Sequence, residues 1–132
     1  IVTGSADRLV KVWDLPSATL RFAFNKHTDY VNKVAVSRDG YYIFSASSDN
    51  TIKIWDLTQG WYQSLSGHED YVRSLWVSYH GQVIVSGSQD TTIRVWRLQP
   101  RMIPQLFLAH ASRFPILRQL KPSLFRALCD MQ

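Results

Sequence analysis

The sequence predicts an all-β protein assembled from a repeated four-stranded antiparallel unit, and three observations carry that expectation. Trp13, Trp55 and Trp96 recur at separations of 42 and 41 residues, and short alternating apolar runs bounded by turn residues fill the intervals. No apolar spacing of three to four residues, the mark of a helix, runs through a period. Other positions keep step with the tryptophans: Asp7, Asp49 and Asp90, then Ser5, Ser47 and Ser88, then His27 and His68. Aligned without gaps, His27 to Leu57 and His68 to Leu98 are identical at 15 of 31 positions, too many for chance.

The period that begins at His27 shows each element in order. Val31, Val34 and Val36 make a first strand, and Arg38-Asp39-Gly40 turns the chain. Tyr42 to Ser45 make a second strand, Ser48-Asp49-Asn50 a second turn, and Ile52 and Ile54 beside Trp55 a third strand. A fourth strand follows before the next histidine, at Leu20 to Phe24 in one period and Trp61 to Leu65 in the next. A unit of about 40 residues cannot bury both faces of its sheet alone, but stacked copies cover each other.

The chain has 132 residues, 45% of them apolar and 19% charged, a globular composition. Its apolar runs are only a few residues long, so no membrane-spanning segment is expected. Cys129 is the only cysteine, which rules out an intramolecular disulfide and a cysteine zinc cage and points to an intracellular protein of cytoplasm or nucleus. The chain opens on Ile1 within a β-type pattern and lacks a secretion signal, so it is expected to be a piece of a longer protein. The net charge of +5 is uneven: ten Lys/Arg face nine Asp/Glu over residues 1–98, whereas residues 99–132 carry five against one. Four of the five prolines also lie after residue 98, and all the glycines and tryptophans before it.

The Gly67-His68 pair, the Ser-x-Asp turns at Ser5/Asp7, Ser47/Asp49 and Ser88/Asp90, and the Trp13-Asp14 and Trp55-Asp56 dipeptides resemble the WD40 repeat. The resemblance covers residues 1–110: a partial repeat over 1–15, repeats ending near 57 and 98, and a partial repeat to His110. The third dipeptide departs from the pattern as Trp96-Arg97. The resemblance implies a β-propeller fragment, an open arc of about two full blades plus partial ones, followed by a non-repeat basic tail over 111–132. A seven-bladed ring needs about 290 residues, so the other blades are expected to be missing from this chain. Alone, the arc is expected to be insoluble or oligomeric.

In this family the repeated His, Ser, Asp and Trp are bonded within a blade. Their donor inventory fits a one-way chain from Trp through Ser and His to Asp. The sets implied are His27, Ser47, Asp49 and Trp55, then His68, Ser88, Asp90 and Trp96, with Ser5, Asp7 and Trp13 left from an incomplete set. Ser, His and Asp also compose hydrolytic triads, but a nucleophile is singular and exposed, whereas these recur in every blade. No enzyme, metal or cofactor is expected. His27, His68 and His110 share one repeated position in separate blades, and His80 aligns with Asp39 in a turn.

Recognition then belongs where the repeats differ. By family analogy the top-face positions are Tyr30 and Asn32, Tyr71 and Arg73, and the residues before the turn aspartates, Ala6, Ser48 and Gln89. Tyr and Arg are frequent binding hot spots. Trp61 is expected to be partly buried against a loop, and Trp76, in place of Ala35, to fill space between blades. The function expected is a non-catalytic scaffold that binds proteins or peptide segments in complex assembly. The alternative is an RNA- or chromatin-associated propeller using a basic surface or tail. The tail itself reads either as a genuine basic extension, with a short helix over Ser123 to Cys129, or as residues from a truncated or misframed transcript.

Overall fold

The computed structural model describes residues 1–79 and 81–98. These form ten strands in three antiparallel sheets, without a helix among the described residues. The first sheet contains β1 (Val2–Gly4), β2 (Val10–Asp14) and β3 (Thr19–Phe24) in that order. The middle sheet contains β4 (Val31–Val36), β5 (Tyr42–Ser47), β6 (Ile52–Asp56) and β7 (Tyr62–Leu65), again in sequence. The third contains β8 (Val72–Val77), β9 (Val83–Ser88) and β10 (Ile93–Arg97). Sequential antiparallel order is what short turns allow, because each strand pairs with the one it has just left. The partial repeat expected after residue 98 up to His110, His80 and the tail of 111–132 lie outside the described residues.

The turn aspartates shape the hairpins at one end of the sheets. Asp7, Asp49 and Asp90 accept the amides of Leu9, Thr51 and Thr92 at 3.0, 3.0 and 2.8 Å, closing a small ring across the turn. The residue inside that ring takes positive φ each time, at Arg8 (71°), Asn50 (66°) and Thr91 (68°). Asparagine tolerates this region well; arginine and threonine hold it because the aspartate bond over-determines the turn.

The pleat gives each sheet a near face and a far face, and the sheets stack near on far. At the first junction Val10, Val31, Ile43 and Trp55 are buried together, with Val2, Val12, Phe24, Val34 and Leu57 packed around them. The Phe24 and Trp55 rings stack at 4.8 Å between centroids. Gly4 lies so close to the middle sheet that a Cβ there would meet Val31 Cγ1 at 2.5 Å. The second junction is larger. Tyr42, Phe44, Ala46, Ile52, Ile54 and Leu65 of the middle sheet meet Val72, Leu75, Ile84 and Leu98, with Ala35, Trp61 and Trp96 packed on them. Trp61 is thus half-buried against this core. Trp76, expected between blades, lies on the far face of the third sheet, the face that in the middle sheet packs at a junction through Ala35, and is exposed there, with no further sheet over it among the described residues.

Candidate functional site

Two bonded quartets sit inside the stack, and they correct one residue in each expected set. Trp55 Nε1 donates to Ser45 Oγ at 2.8 Å, Ser45 Oγ lies 2.7 Å from His27 Nε2, and His27 Nδ1 lies 2.7 Å from Asp49 Oδ2. The third sheet repeats this with Trp96, Ser86, His68 and Asp90 at 2.9, 2.8 and 2.7 Å. A carboxylate only accepts, so Nδ1 donates to it and Nε2 is left to accept the serine proton. The linking serines are therefore Ser45 and Ser86, not Ser47 and Ser88.

The physical reason is the pleat. Ser45 lies opposite Lys53, one diagonal step from Trp55 on the same face, within reach of the indole. Ser47 lies a further step along, at the end of its strand. Its hydroxyl donates to the Asp29 carbonyl at 3.1 Å and accepts the Asp49 amide at 3.1 Å. Ser88 does the same with Asp70 and Asp90. In the first sheet Thr3 takes the linking place, accepting Trp13 Nε1 at 3.0 Å. Ser5 Oγ accepts the Asp7 amide, and Asp7 turns to Lys11 Nζ at 2.7 Å. Both linking serines and Thr3 recur at the repeat spacing, so the signal was in the sequence but was shared with the neighbouring Ser5, Ser47 and Ser88.

Burial opposes ionisation of Asp49, but hydrogen bonds from His27, Thr51 and the Thr28 amide outweigh it and hold the carboxyl well below the usual range. Asp90 is lowered in the same way: desolvation works against the charge, and Thr92, the Glu69 amide and His68 overcome it. The Thr51 and Thr92 hydroxyls each lie 2.6 Å from Oδ1. The order Asp, His, Ser is that of a hydrolytic triad, yet Ser45 and Ser86 are buried and each hydroxyl already accepts an indole N–H.

The expected partner-binding residues gather at the turn end of the stack. In β4 the pairing passes from Val31 opposite Ser47 to Lys33 opposite Ala46, leaving Asn32 as the extra residue of a bulge. In β8 Arg73 is the extra residue between Val72 and Ser74. A bulge re-aims its side chain out of the ladder. Asn32 Nδ2 donates to Ser48 Oγ at 3.0 Å and to the Val72 carbonyl of the next sheet at 2.9 Å. Arg73 donates to Gln89 Oε1 at 2.7 Å, and its guanidinium lies 5.2 Å from the Tyr71 ring centroid. Backbone bonds of 2.9 Å join Ser48 to Tyr30 and Gln89 to Tyr71. The six residues thus form two equivalent groups. Asn32 and buried Ser48 spend their polar atoms within the fold, whereas Tyr30 (57% exposed), Tyr71 (39%), Arg73 and Gln89 face outward.

The family model for the WD domain, G-beta repeat (WD40) matches residues 1–14, 18–56 and 61–97. The second and third matches each begin on the last strand or flank of one sheet and run through the first three strands of the next, as the stacking requires. Over 60 residues, 46% of this chain, the sequence is 52% identical to small ribosomal subunit protein RACK1y of Oryza sativa subsp. japonica, of which the match covers 18%. It is 42% identical to MST50-interacting protein 11 of Pyricularia oryzae over 59 residues, 45% of this chain and 19% of the relative. With small ribosomal subunit protein RACK1 of Caenorhabditis elegans it shares 42% over 60 residues, 46% of this chain and 18% of the relative. The matches therefore span less than a fifth of the length of these relatives. With its repeats matched over most of residues 1–97 and its sheets stacked as those repeats demand, the chain belongs to the WD40 repeat family.

Proposed function

We propose that this chain is a non-catalytic scaffold that holds protein or peptide partners, within multiprotein complexes inside the cell, on the edge formed by Tyr30, Tyr71, Arg73 and Gln89. The observation that carries this reading is the split between the two kinds of repeated residue. The quartets are buried and internally satisfied, so they are committed to the fold. The bulged Arg73, stacked on Tyr71 and anchored by Gln89, is exposed and held in place before any partner arrives. A pre-ordered arginine lying over a tyrosine ring is the composition of an interface hot spot. The similarity to a small ribosomal subunit protein, RACK1y, and to an MST50-interacting protein supports assembly rather than chemistry. The set Asn32 and Ser48 supplies the floor of this edge and ties it to the neighbouring sheet.

The test is quantitative affinity capture with the tagged chain and its variants Arg73→Ala, Tyr71→Ala and Tyr41→Ala. Tyr41 is exposed at the opposite end of the strands. The first two variants should lose partners that the third retains, with unchanged melting temperature in all three. Identical partner sets across the three variants would end the proposal.

A further inference from the structure

The first junction opens at its rim between two end strands, β3 of the first sheet and β7 of the middle sheet. Phe22 and Phe24 alternate on the β3 face that meets the middle sheet, and Trp55 and Tyr62 are cross-strand partners on the face that meets it from the other side. Their rings run in one array: Phe22 to Phe24 at 6.1 Å, Phe24 to Trp55 at 4.8 Å and Trp55 to Tyr62 at 5.3 Å between centroids. Trp55 is buried, whereas Phe22 is 41% and Tyr62 43% exposed, so a covered floor lies between two solvent-facing aromatic lips. At the second junction the positions matching Phe22 and Phe24 are Gln63 and Leu65, so the corresponding lip is not aromatic. Lys53 closes one end of the array, opposite Ser64 of the end strand. Its Nζ lies 5.4 Å from the Tyr62 ring centroid and donates to Ser64 Oγ at 3.2 Å, and it forms no ion pair among the described residues. Asp49, four residues earlier, is engaged by His27, Thr51 and the Thr28 amide instead. Yet Lys53 is only 8% exposed. An ammonium so far removed from water is costly without a counter-ion, and an anion arriving at the rim supplies one.

We infer that this rim cleft binds an extended acidic peptide segment of a partner protein, with an apolar side chain on the Phe22 and Tyr62 rings and a carboxylate two residues further on paired with Lys53. Alternate side chains of an extended chain stand about 7 Å apart on one face, which spans the separation of the Tyr62 ring from the Lys53 ammonium. The rings select apolar bulk, and the ammonium selects an acid over its amide. The repeats differ here, which is where recognition belongs. Both walls of the cleft are described sheets in contact with each other, and Arg73 belongs to the third sheet, so the inference does not rest on the partner edge.

Fluorescence polarisation on the full 132-residue chain provides the test. The probe is a fluorescein-labelled peptide with phenylalanine, serine and glutamate in sequence between glycines, used beside a twin that has glutamine in place of glutamate. The wild type should bind the glutamate peptide about tenfold more tightly than its twin, the scale of one charge-assisted hydrogen bond. Lys53→Met keeps the apolar stem and removes the ammonium, so it should bind both peptides alike, at the affinity the wild type shows for the glutamine twin. Phe22→Ser and Tyr62→Ser, both at exposed rings, should weaken both peptides about tenfold while keeping the preference for glutamate. Thermal melts follow folding in every variant. The inference is overturned if the glutamate peptide does not bind, if the wild type does not distinguish the twins, or if Lys53→Met still prefers glutamate. Binding that neither Phe22→Ser nor Tyr62→Ser weakens places the peptide elsewhere and overturns it equally.

Discussion

The middle sheet and the first sheet carry the same repeated positions, yet they use them differently. In the middle sheet Trp55, Ser45, His27 and Asp49 form an unbroken bonded chain beneath the first sheet. In the first sheet Trp13 reaches only Thr3, and Asp7 is occupied by Lys11 at 2.7 Å. The chemistry is nearly identical and the setting is not. A hydrogen bond at an exposed site exchanges with water at little net cost, whereas a buried donor stripped of its acceptor bears the full desolvation penalty. The difference teaches that a repeated residue acquires its energetic weight from the sheet stacked over it.

The largest expected consequence follows at the linking hydroxyl. Ser45→Ala leaves both the Trp55 indole N–H and His27 Nε2 without their buried partner, so a loss of about 1–3 kcal/mol for each stranded group is expected. Thr3→Ala breaks an exposed bond and should shift stability by less than about 0.5 kcal/mol. Urea denaturation at one fixed protein concentration compares the two. Equal losses would show that stacking does not set the value of the bond.

Acid provides a second, smaller contrast. The folded pKa of Asp49 is depressed from 3.8, so its contribution is fully present above that value and disappears as pH falls through the lower folded pKa. Asp90 behaves in the same sense. Melting temperature should therefore be steady above about pH 5 and decline below pH 4. In Asp49→Asn that decline should become shallower, at the cost of a lower plateau at neutral pH. Asp7, whose carboxyl is lowered chiefly by Lys11 and the Leu9 amide, sits at an exposed site. Asp7→Asn should leave the acid decline close to that of the wild type.

Much of this was legible in the sequence because the repeat is itself a physical constraint. Every sheet must present the same apolar positions to its neighbours, so Ile43 and Ile84, or Phe44 and Val85, reveal the pleat by their spacing alone. Asn32 and Arg73 stand out in the sequence as residues that differ between equivalent positions, whereas Tyr30 and Tyr71 are identical and were expected beside them only from the family resemblance. Two things were not legible. The choice between Ser45 and Ser47 depends on which hydroxyl lies on the diagonal from the indole, a matter of cross-strand register that two serines two residues apart cannot disclose. The bulges at Asn32 and Arg73 depend on one unpaired residue in each ladder, which leaves the repeat length unchanged and so leaves no trace in the spacing.

Those bulges set the smallest and sharpest contrast, because Asn32 and Arg73 occupy the same place in sheets with different neighbours. Asn32 has a sheet beyond it and donates across the junction to the Val72 carbonyl, so Asn32→Ala should cost about 1 kcal/mol, the net value of a typical hydrogen bond in a partly buried site. Arg73 donates within its own sheet to Gln89 and lies over Tyr71, both exposed. Arg73→Ala should therefore change unfolding free energy by less than about 0.5 kcal/mol while removing the charged group from the proposed partner edge. If Arg73→Ala destabilises the chain as much as Asn32→Ala does, the guanidinium serves the fold, and this bulge is not held available for a partner.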